Sequence, residues 1–306
     1  MTTISTSSFY TSAMGNMNRL TASTDKLQAQ ISAQSNITHS YDDPLAAAQI
    51  RRLQAADTLA TTDATNTDAA KTSLTQVSNT LTQFTNIVNS IQTLATQAST
   101  GTLSSADKAN IGAQVKAYYQ QLVDLANTKD SYGTGLFGGT ASGVSYTQDA
   151  SGNATYVGTG SIAPVSMGGG MSVSPTMTGP EFMSFTLNGT SGDLLTTVKT
   201  LSDQLAAGTA TADGITGTGG TLDQLTASLD SLTTAQTVVG TRQSWVSTAQ
   251  DIQTQSTTQR TQQKADADGF NLTTAAAQLS QQILVLDASQ ASFTKLSSMS
   301  LFNYLK

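Results

Sequence analysis

Between Pro44 and Ser99 apolar and small residues recur at alternating spacings of three and four without a break: Leu53, Ala56, Ala60, then Asp63 and Thr67 as the polar members, then Ala70, Leu74, Val77, Leu81, Phe84, Val88, Ile91, Ala95 and Ala98. This is the heptad pattern of a helix that buries one narrow face. Asp43 is placed to cap such a helix and Pro44 suits its first turn, where a missing N–H costs nothing. At about 1.5 Å per residue the segment predicts a helix roughly 80 Å long, far beyond the ordinary globular length of about 8–20 residues, so an elongated, mainly α architecture is the economical expectation.

Four further regions repeat the pattern. The amino-terminal segment carries Tyr10, Ala13, Met17, Leu20, Thr24, Leu27 and Ile31. After the break at Gly101, Ser104 and Asp107 form a capping-box-like start to a helix with Ile111, Val115, Tyr118, Leu122 and Leu125, expected to fold back on the long one. Beyond residue 190 come Leu194, Val198, Leu201 and Leu205, then a flexible stretch over 214–220, then Leu222, Leu225, Leu229, Leu232, Gln236 and Val239. The carboxyl end adds Leu272, Ala276, Leu279, Ile283, Leu286, Phe293, Leu296, Leu301, Phe302 and Leu305.

The middle differs. Of the 24 glycines, 14 lie from Gly133 to Gly192, with three of the four prolines and only two charges, Asp149 and Glu181. Val144–Gln148 and Ala154–Gly158 read as two strands around a five-residue hairpin loop, and Thr186–Asn188 is compatible with a later strand. Met167–Pro180 is too rich in Gly, Pro and Met to assign and is left irregular.

Composition removes most chemistry. There is no cysteine, which excludes disulfides, thiolate metal sites and a cysteine nucleophile, and the single His39 excludes any site needing two imidazoles. A net charge of −6 disfavours a phosphate-backbone binder, so nucleic acid is not an expected partner. No basic n-region or continuous apolar stretch marks a cleaved signal or a membrane span; taken alone, the residues read as cytoplasmic. His39 beside Tyr41, Asp42 and Asp43 reads as a polar turn rather than a catalytic or metal cluster, with both aspartates as helix-terminus acceptors. Gly168-Gly169-Gly170 lacks the Gly-Lys-Ser/Thr of a phosphate loop. We therefore expect no catalytic, metal or cofactor site and no enzymatic activity. Phe84, Tyr118 and Trp245 read as core.

Charged residues make up only 11% of the chain and Glu181 is the only glutamate. Coiled-coil flanks normally carry Glu and Lys; here they are Thr, Gln, Ser and Ala, which suit close contact with neighbouring copies, although the same seams serve an intramolecular bundle. The greasy segments at the two ends have no third segment reserved for them, so terminus is expected to pair with terminus. Such a pair buries little on its own and gains order from contacts with other subunits. Phe302, Tyr304 and Leu305 lie at the extreme end, where an apolar tail is better suited to another chain than to its own core.

Specific residues sharpen this. Ser40-Tyr41-Asp42-Asp43-Pro44-Leu45-Ala46-Ala47-Ala48, followed by Arg52-Leu53, resembles the Ser-x-Asp-Asp-Pro-x-Ala-Ala-Ala segment of the flagellin superfamily. Leu125-Ala126-Asn127-Thr128-Lys129-Asp130 and Gly135-Leu136-Phe137-Gly138-Gly139-Thr140 are similar to further family segments, and Ser300-Leu301-Phe302-Asn303-Tyr304-Leu305 resembles the closing segment of the superfamily's hook–filament junction branch. The likeness covers about residues 1–140 and 190–306. Gly269-Phe270-Asn271 departs from the family's acidic turn, and Asn303 replaces an aspartate.

The resemblance implies an elongated flagellin-like rod. Residues 1–40 and 270–306 would form a terminal coiled-coil domain, 41–139 and 190–269 a helical shaft, and 140–189 a variable β-rich outer domain. It implies a structural role in a bacterial flagellum, as a homo-oligomeric ring between a neighbouring hook-associated protein and flagellin, with a filament flagellin or a cell-surface adhesin of the flagellin family as the alternatives. It implies export without a cleaved signal, an export chaperone at the carboxyl-terminal helix and an extracellular location, which reverses the cytoplasmic reading. Expected subunit-contact residues are Met17, Leu20, Leu27, Ile31, Leu279, Ile283, Leu286, Phe293, Leu296, Leu301, Phe302 and Leu305; the family motif residues are Asp42, Asp43, Pro44 and Asn127.

Overall fold

The computed structural model describes residues 6–130 and 133–304, with the side chains of 6, 7, 9 and from 296 onward outside the described set. The chain is mainly helical, as its periodicity predicts. In order it forms α1 (Thr6–Ala33), α2 (Pro44–Ala98), α3 (Ser105–Ala126), β1 (Tyr146–Gln148), β2 (Ala154–Tyr156), β3 (Val165–Gly168), β4 (Met171–Val173), α4 (Gly179–Met183), β5 (Ser184–Leu187), β6 (Thr190–Asp193), α5 (Leu194–Ala206), α6 (Ala212–Thr216), α7 (Thr221–Asp268) and α8 (Leu272–Tyr304). It divides into two compact units, residues 1–59 with 255–306, and residues 60–254.

The second unit holds the main core. The α2 seam from Thr67 through Ala70, Leu74, Val77, Leu81, Phe84, Val88, Ile91, Ala95 and Ala98 is fully buried. It is joined by Ile111, Val115, Tyr119 and Leu122 of α3, Leu194, Val198, Leu201 and Leu205 of α5, and Leu225, Leu232, Val239 and Val246 of α7. The capping box expected at Ser104 is present, with Asp107 N–H donating to Ser104 Oγ at 3.2 Å and Ser104 N–H to the Asp107 carboxylate at 3.3 Å. Although α3 shares the core with α2, its closest approach is to α5. Gly112 allows it: a Cβ there would lie 2.9 Å from the Ala206 nitrogen, and Ser202 Oγ donates to the Gly112 carbonyl at 3.2 Å.

The middle region folds as three two-stranded antiparallel hairpins. The predicted hairpin forms with Tyr146 opposite Tyr156 and Gln148 opposite Ala154, around residues 149–153. A second hairpin, β3–β4, starts just before the segment left irregular and turns within it through Gly168, Gly169 and Gly170, all at positive φ. The third, β5–β6, turns at Asn188-Gly189, φ 51° and 78°, the left-handed pair that a tight two-residue turn requires. Residues 140–189, expected as an outer domain, lie within the second unit, and Tyr146, Met167, Val173, Met177, Phe182 and Met183 belong to the same hydrophobic cluster as the helices. Phe84, Phe137 and Phe182 form its aromatic centre, with ring centroids 4.8–6.3 Å apart.

Two aromatic expectations need correction. Trp245 is 42% exposed rather than core, because its indole N–H reaches outward to the Ser172 carbonyl at 3.3 Å. On α3 the fully buried ring is Tyr119, not Tyr118; its hydroxyl donates to the Gly152 carbonyl and accepts from Ala154 N–H, stitching the helix to the first hairpin loop.

Candidate assembly surfaces and motif residues

In the first unit α1 packs antiparallel against α8: Tyr10 meets Phe293 edge-on, with centroids 5.5 Å apart, while Gln282 Nε2 donates to Ser23 Oγ at 3.0 Å. On α1 the inward positions are Tyr10, Ala13, Met17, Leu20, Thr24, Leu27 and Ile31, the heptad read from the sequence. Most are only half-buried. Thr24 is the most enclosed, its hydroxyl turned back to the Leu20 carbonyl at 2.9 Å.

On α8 the inward stripe differs from the apolar one read in the sequence. Ala275, Leu279, Gln282, Leu286, Ser289 and Phe293 face α1, again at alternating spacings of four and three. Ile283 is 40% exposed, Leu272 52%, and Leu284 and Val285 are 71% and 41% exposed. Two polar residues, Gln282 and Ser289, therefore occupy seam positions beside Leu279, Leu286 and Phe293, while Ile283, Leu284 and Val285 face away. Gln282 Oε1 is buried without a hydrogen-bond partner, so the polar seam position is not fully satisfied. Leu284 and Val285 were missed because the reading followed one stripe; the signal was the uninterrupted run Ile283-Leu284-Val285-Leu286, which places apolar side chains around most of the helix. Leu296, Leu301 and Phe302 lie in α8 with side chains outside the described residues, and Leu305 lies outside them altogether.

The two aspartates of the motif divide their work. Asp43 caps α2, its Oδ1 accepting from the N–H groups of Leu45 and Ala46, both at 3.0 Å, with Pro44 opening the helix. Asp42, expected as a second helix-terminus acceptor, instead closes the preceding loop: its carboxylate accepts from Lys26 Nζ at 2.8 Å, His39 N–H at 2.9 Å and Thr38 Oγ1 at 3.0 Å. These contacts, the Lys26 hydrogen bond foremost, hold its carboxyl well below the usual range. His39 stacks on Tyr41 at 5.0 Å, with Tyr41 76% exposed. At the opposite loop Asp268 accepts from Ser35 Oγ at 2.7 Å and from Ile37 N–H at 3.3 Å, and Asn271 caps α8 by accepting from Thr274 N–H at 3.1 Å.

Within the second unit Asn127 sits at the carboxyl cap of α3. Its Oδ1 accepts from the N–H groups of Ser145 and Tyr146, and its Nδ2 donates to the Tyr146 carbonyl at 2.9 Å, so one amide joins a helix end to the start of β1. A shallow cavity of about 270 Å³ lies beside Phe185, Asn188, Thr190 and Gln224. Among the described residues no three His, Asp or Glu side chains gather as a metal site, and no helix is long and apolar enough to cross a membrane.

Comparison with known proteins agrees with the motifs. Residues 4–142 match the bacterial flagellin N-terminal helical region. Flagellar hook-associated protein 3 of Salmonella typhimurium strain LT2 is 32% identical over 142 residues, and that of Escherichia coli strain K12 is 32% identical over 141; each alignment covers 44% of this chain and 43% of the relative, so the chain matches less than half the length of either. The fold is similar over a larger share. A flagellar hook-associated protein from Vibrio parahaemolyticus aligns with a TM-score of 0.67 over 74% of this chain and 100% of its own, at 16% identity, and hook-associated protein 3 from Legionella pneumophila with 0.61 over 82% and 99%, at 15% identity. Residues 4–142 are thus similar to the flagellin amino-terminal helical region, and the chain has the fold of the flagellar hook-associated proteins.

Proposed function

We propose that this chain is a structural component of the bacterial flagellum, forming the junction between hook and filament, without enzymatic activity. The observation that carries the reading is α8, whose exposed face holds Leu272, Ile283, Leu284 and Val285 while its contact with α1 takes in Gln282 and Ser289. A helix apolar on several sides belongs in an environment enclosed on several sides, and one partner helix does not provide it. Other copies of the chain, arranged as a ring, supply the rest. The reading takes its particular place from the likeness to hook-associated protein 3. It brings a hook-associated protein on one side and flagellin on the other as neighbours, an export chaperone for α8 before assembly, and export to the cell exterior without a cleaved signal. The terminal coiled coil (1–40, 270–306) would make the inner contacts, with Leu272, Ile283, Leu284 and Val285 meeting other copies while Leu20, Leu27, Leu279, Leu286 and Phe293 hold α1 to α8.

Purified full-length protein incubated with isolated hooks and with flagellin filament seeds, viewed by electron microscopy, tests this. A junction protein adds as a short collar and does not polymerise alone. Long filaments from the pure protein would make it a filament flagellin, and failure to bind either end would overturn the assignment.

A further inference from the structure

The two long helices are joined in different ways along their length. In the second unit their buried stripes are mainly Leu, Val, Phe, Ile and Ala, with Thr67, Thr80, Thr221 and Ser228 as the polar members, and α2 carries no charge from Thr72 to Ala98. In the first unit the stretch of α7 from 255 to 268 contains no apolar residue larger than alanine, and its half-buried positions are Ser256, Arg260, Lys264 and Ala267, with Asp268 at its end. Facing it, α2 offers Asp57, the only acidic residue between Pro44 and Leu59. Arg260 Nε donates to one oxygen of that carboxylate at 2.7 Å and Lys264 Nζ to the other at 2.5 Å. The three side chains retain only 18–30% of their exposure; α2 turns Ala46 and Ala47 fully and Ile50, Leu53 and Ala56 partly inward here, while Leu45 and Leu59 are 78% and 69% exposed.

We infer that Asp57, Arg260 and Lys264 form an ionic clasp that holds the first-unit stretches of α2 and α7 together where α7 supplies no apolar side chain larger than alanine, and that this pairing opens with ionic strength. One carboxylate serving two cations makes the clasp sensitive to a single group: without Asp57, Arg260 and Lys264 face each other as like charges. The Debye length falls from about 14 Å at 0.05 M to about 3 Å at 1 M salt, and partly exposed pairs are screened accordingly, whereas apolar burial is not. The clasped stretch therefore responds to salt while the apolar stretch does not.

Hydrogen exchange read by mass spectrometry on the dilute full-length chain tests this at about 0.05 M and about 1 M sodium chloride. Peptides within 48–59 and 255–267 should exchange several-fold faster at high salt, with those within 74–98 unchanged. Asp57→Asn should show the fast exchange already at low salt and lose the salt response. Should that variant fail to fold, Lys264→Gln, which leaves Asp57 paired with Arg260, should give a smaller acceleration. Equal protection of 48–59 and 255–267 at both salt concentrations in the wild type, or a uniform response along both helices, would overturn the inference.

Discussion

A single amide fixes the end of α3 to the hairpin that follows. Asn127 makes three hydrogen bonds to Ser145 and Tyr146, and an alanine there leaves two backbone N–H groups and one carbonyl without those partners. With a net value near 1 kcal/mol per bond and a further cost for groups left unsatisfied, Asn127→Ala should lose about 2–4 kcal/mol in denaturant unfolding of residues 60–254; Asp, which keeps the accepting oxygen but sets its second oxygen against the Tyr146 carbonyl, should also be destabilising. Sequence marked Asn127 through its family motif but could not assign this role, since its partners lie 18 and 19 positions away across a glycine-rich loop. Asp42 shows the same limit differently: beside Pro44 it reads as a cap, yet the cap is Asp43, and what Asp42 grips is Lys26, visible only once α1 turns back. Its folded pKa is depressed, chiefly by that hydrogen bond. The stability it contributes is therefore complete above the ordinary carboxylate value near 4 and is lost as pH falls through that value toward its lower folded one. Exchange protection of the 38–42 loop should fall over that acidic window in the wild type and be weaker and less pH-dependent there in Asp42→Asn.

Elements with a strong period were legible and those defined by turns were less so. The long helix was read to within a residue of its observed Pro44–Ala98, because its capping residues and uninterrupted heptads all point the same way. The two later hairpins were missed for different reasons. Val165–Val173 is interrupted by three glycines whose positive φ values make the turn, so its composition hides its strands. At Leu187-Asn188-Gly189-Thr190 the Asn-Gly pair is a hairpin signal, but the reading gave it only one side. Pairing between helices is harder again: nothing in the spacing of α3 says that Gly112 will meet α5 rather than α2. That contact can be tested directly. Gly112→Val introduces a side chain whose Cβ would lie 2.9 Å from backbone and 3.0 Å from Leu205 Cβ, and it should cost about 1–3 kcal/mol through forced separation of α3 and α5. Thermal unfolding of the variant, with Gly15→Val as the control at a position with no neighbour within 4 Å, separates crowding from the general cost of a β-branched residue in a helix.

For the whole chain, the candidate contact surface was legible only in part. The sequence marked both ends as apolar and directed them toward each other, but chose a stripe for α8 through Ile283, where the helix turns Gln282 inward instead. Leu279, Leu286 and Phe293 alternate with Ala275, Gln282 and Ser289 on the side that faces α1, and Ile283, Leu284 and Val285 are left for something else. This separates folding from assembly. Leu284, at 71% exposure, contributes little to its own chain, so Leu284→Asp should leave the circular dichroism and melting of the dilute protein within about 0.5 kcal/mol of wild type, as expected for an exposed substitution. In an assembled ring the same aspartate would enter an apolar contact, where a buried unpaired charge is strongly unfavourable. Collar formation on hook or filament ends, counted in electron micrographs, should then be lost at protein concentrations where the wild type saturates them. Leu279→Asp, placed in the α1-facing stripe, should instead loosen α1 from α8 in the dilute protein as well. If Leu284→Asp assembled normally, the exposed face of α8 would not be the contact between copies, and the assembly surface would have to be sought on another element.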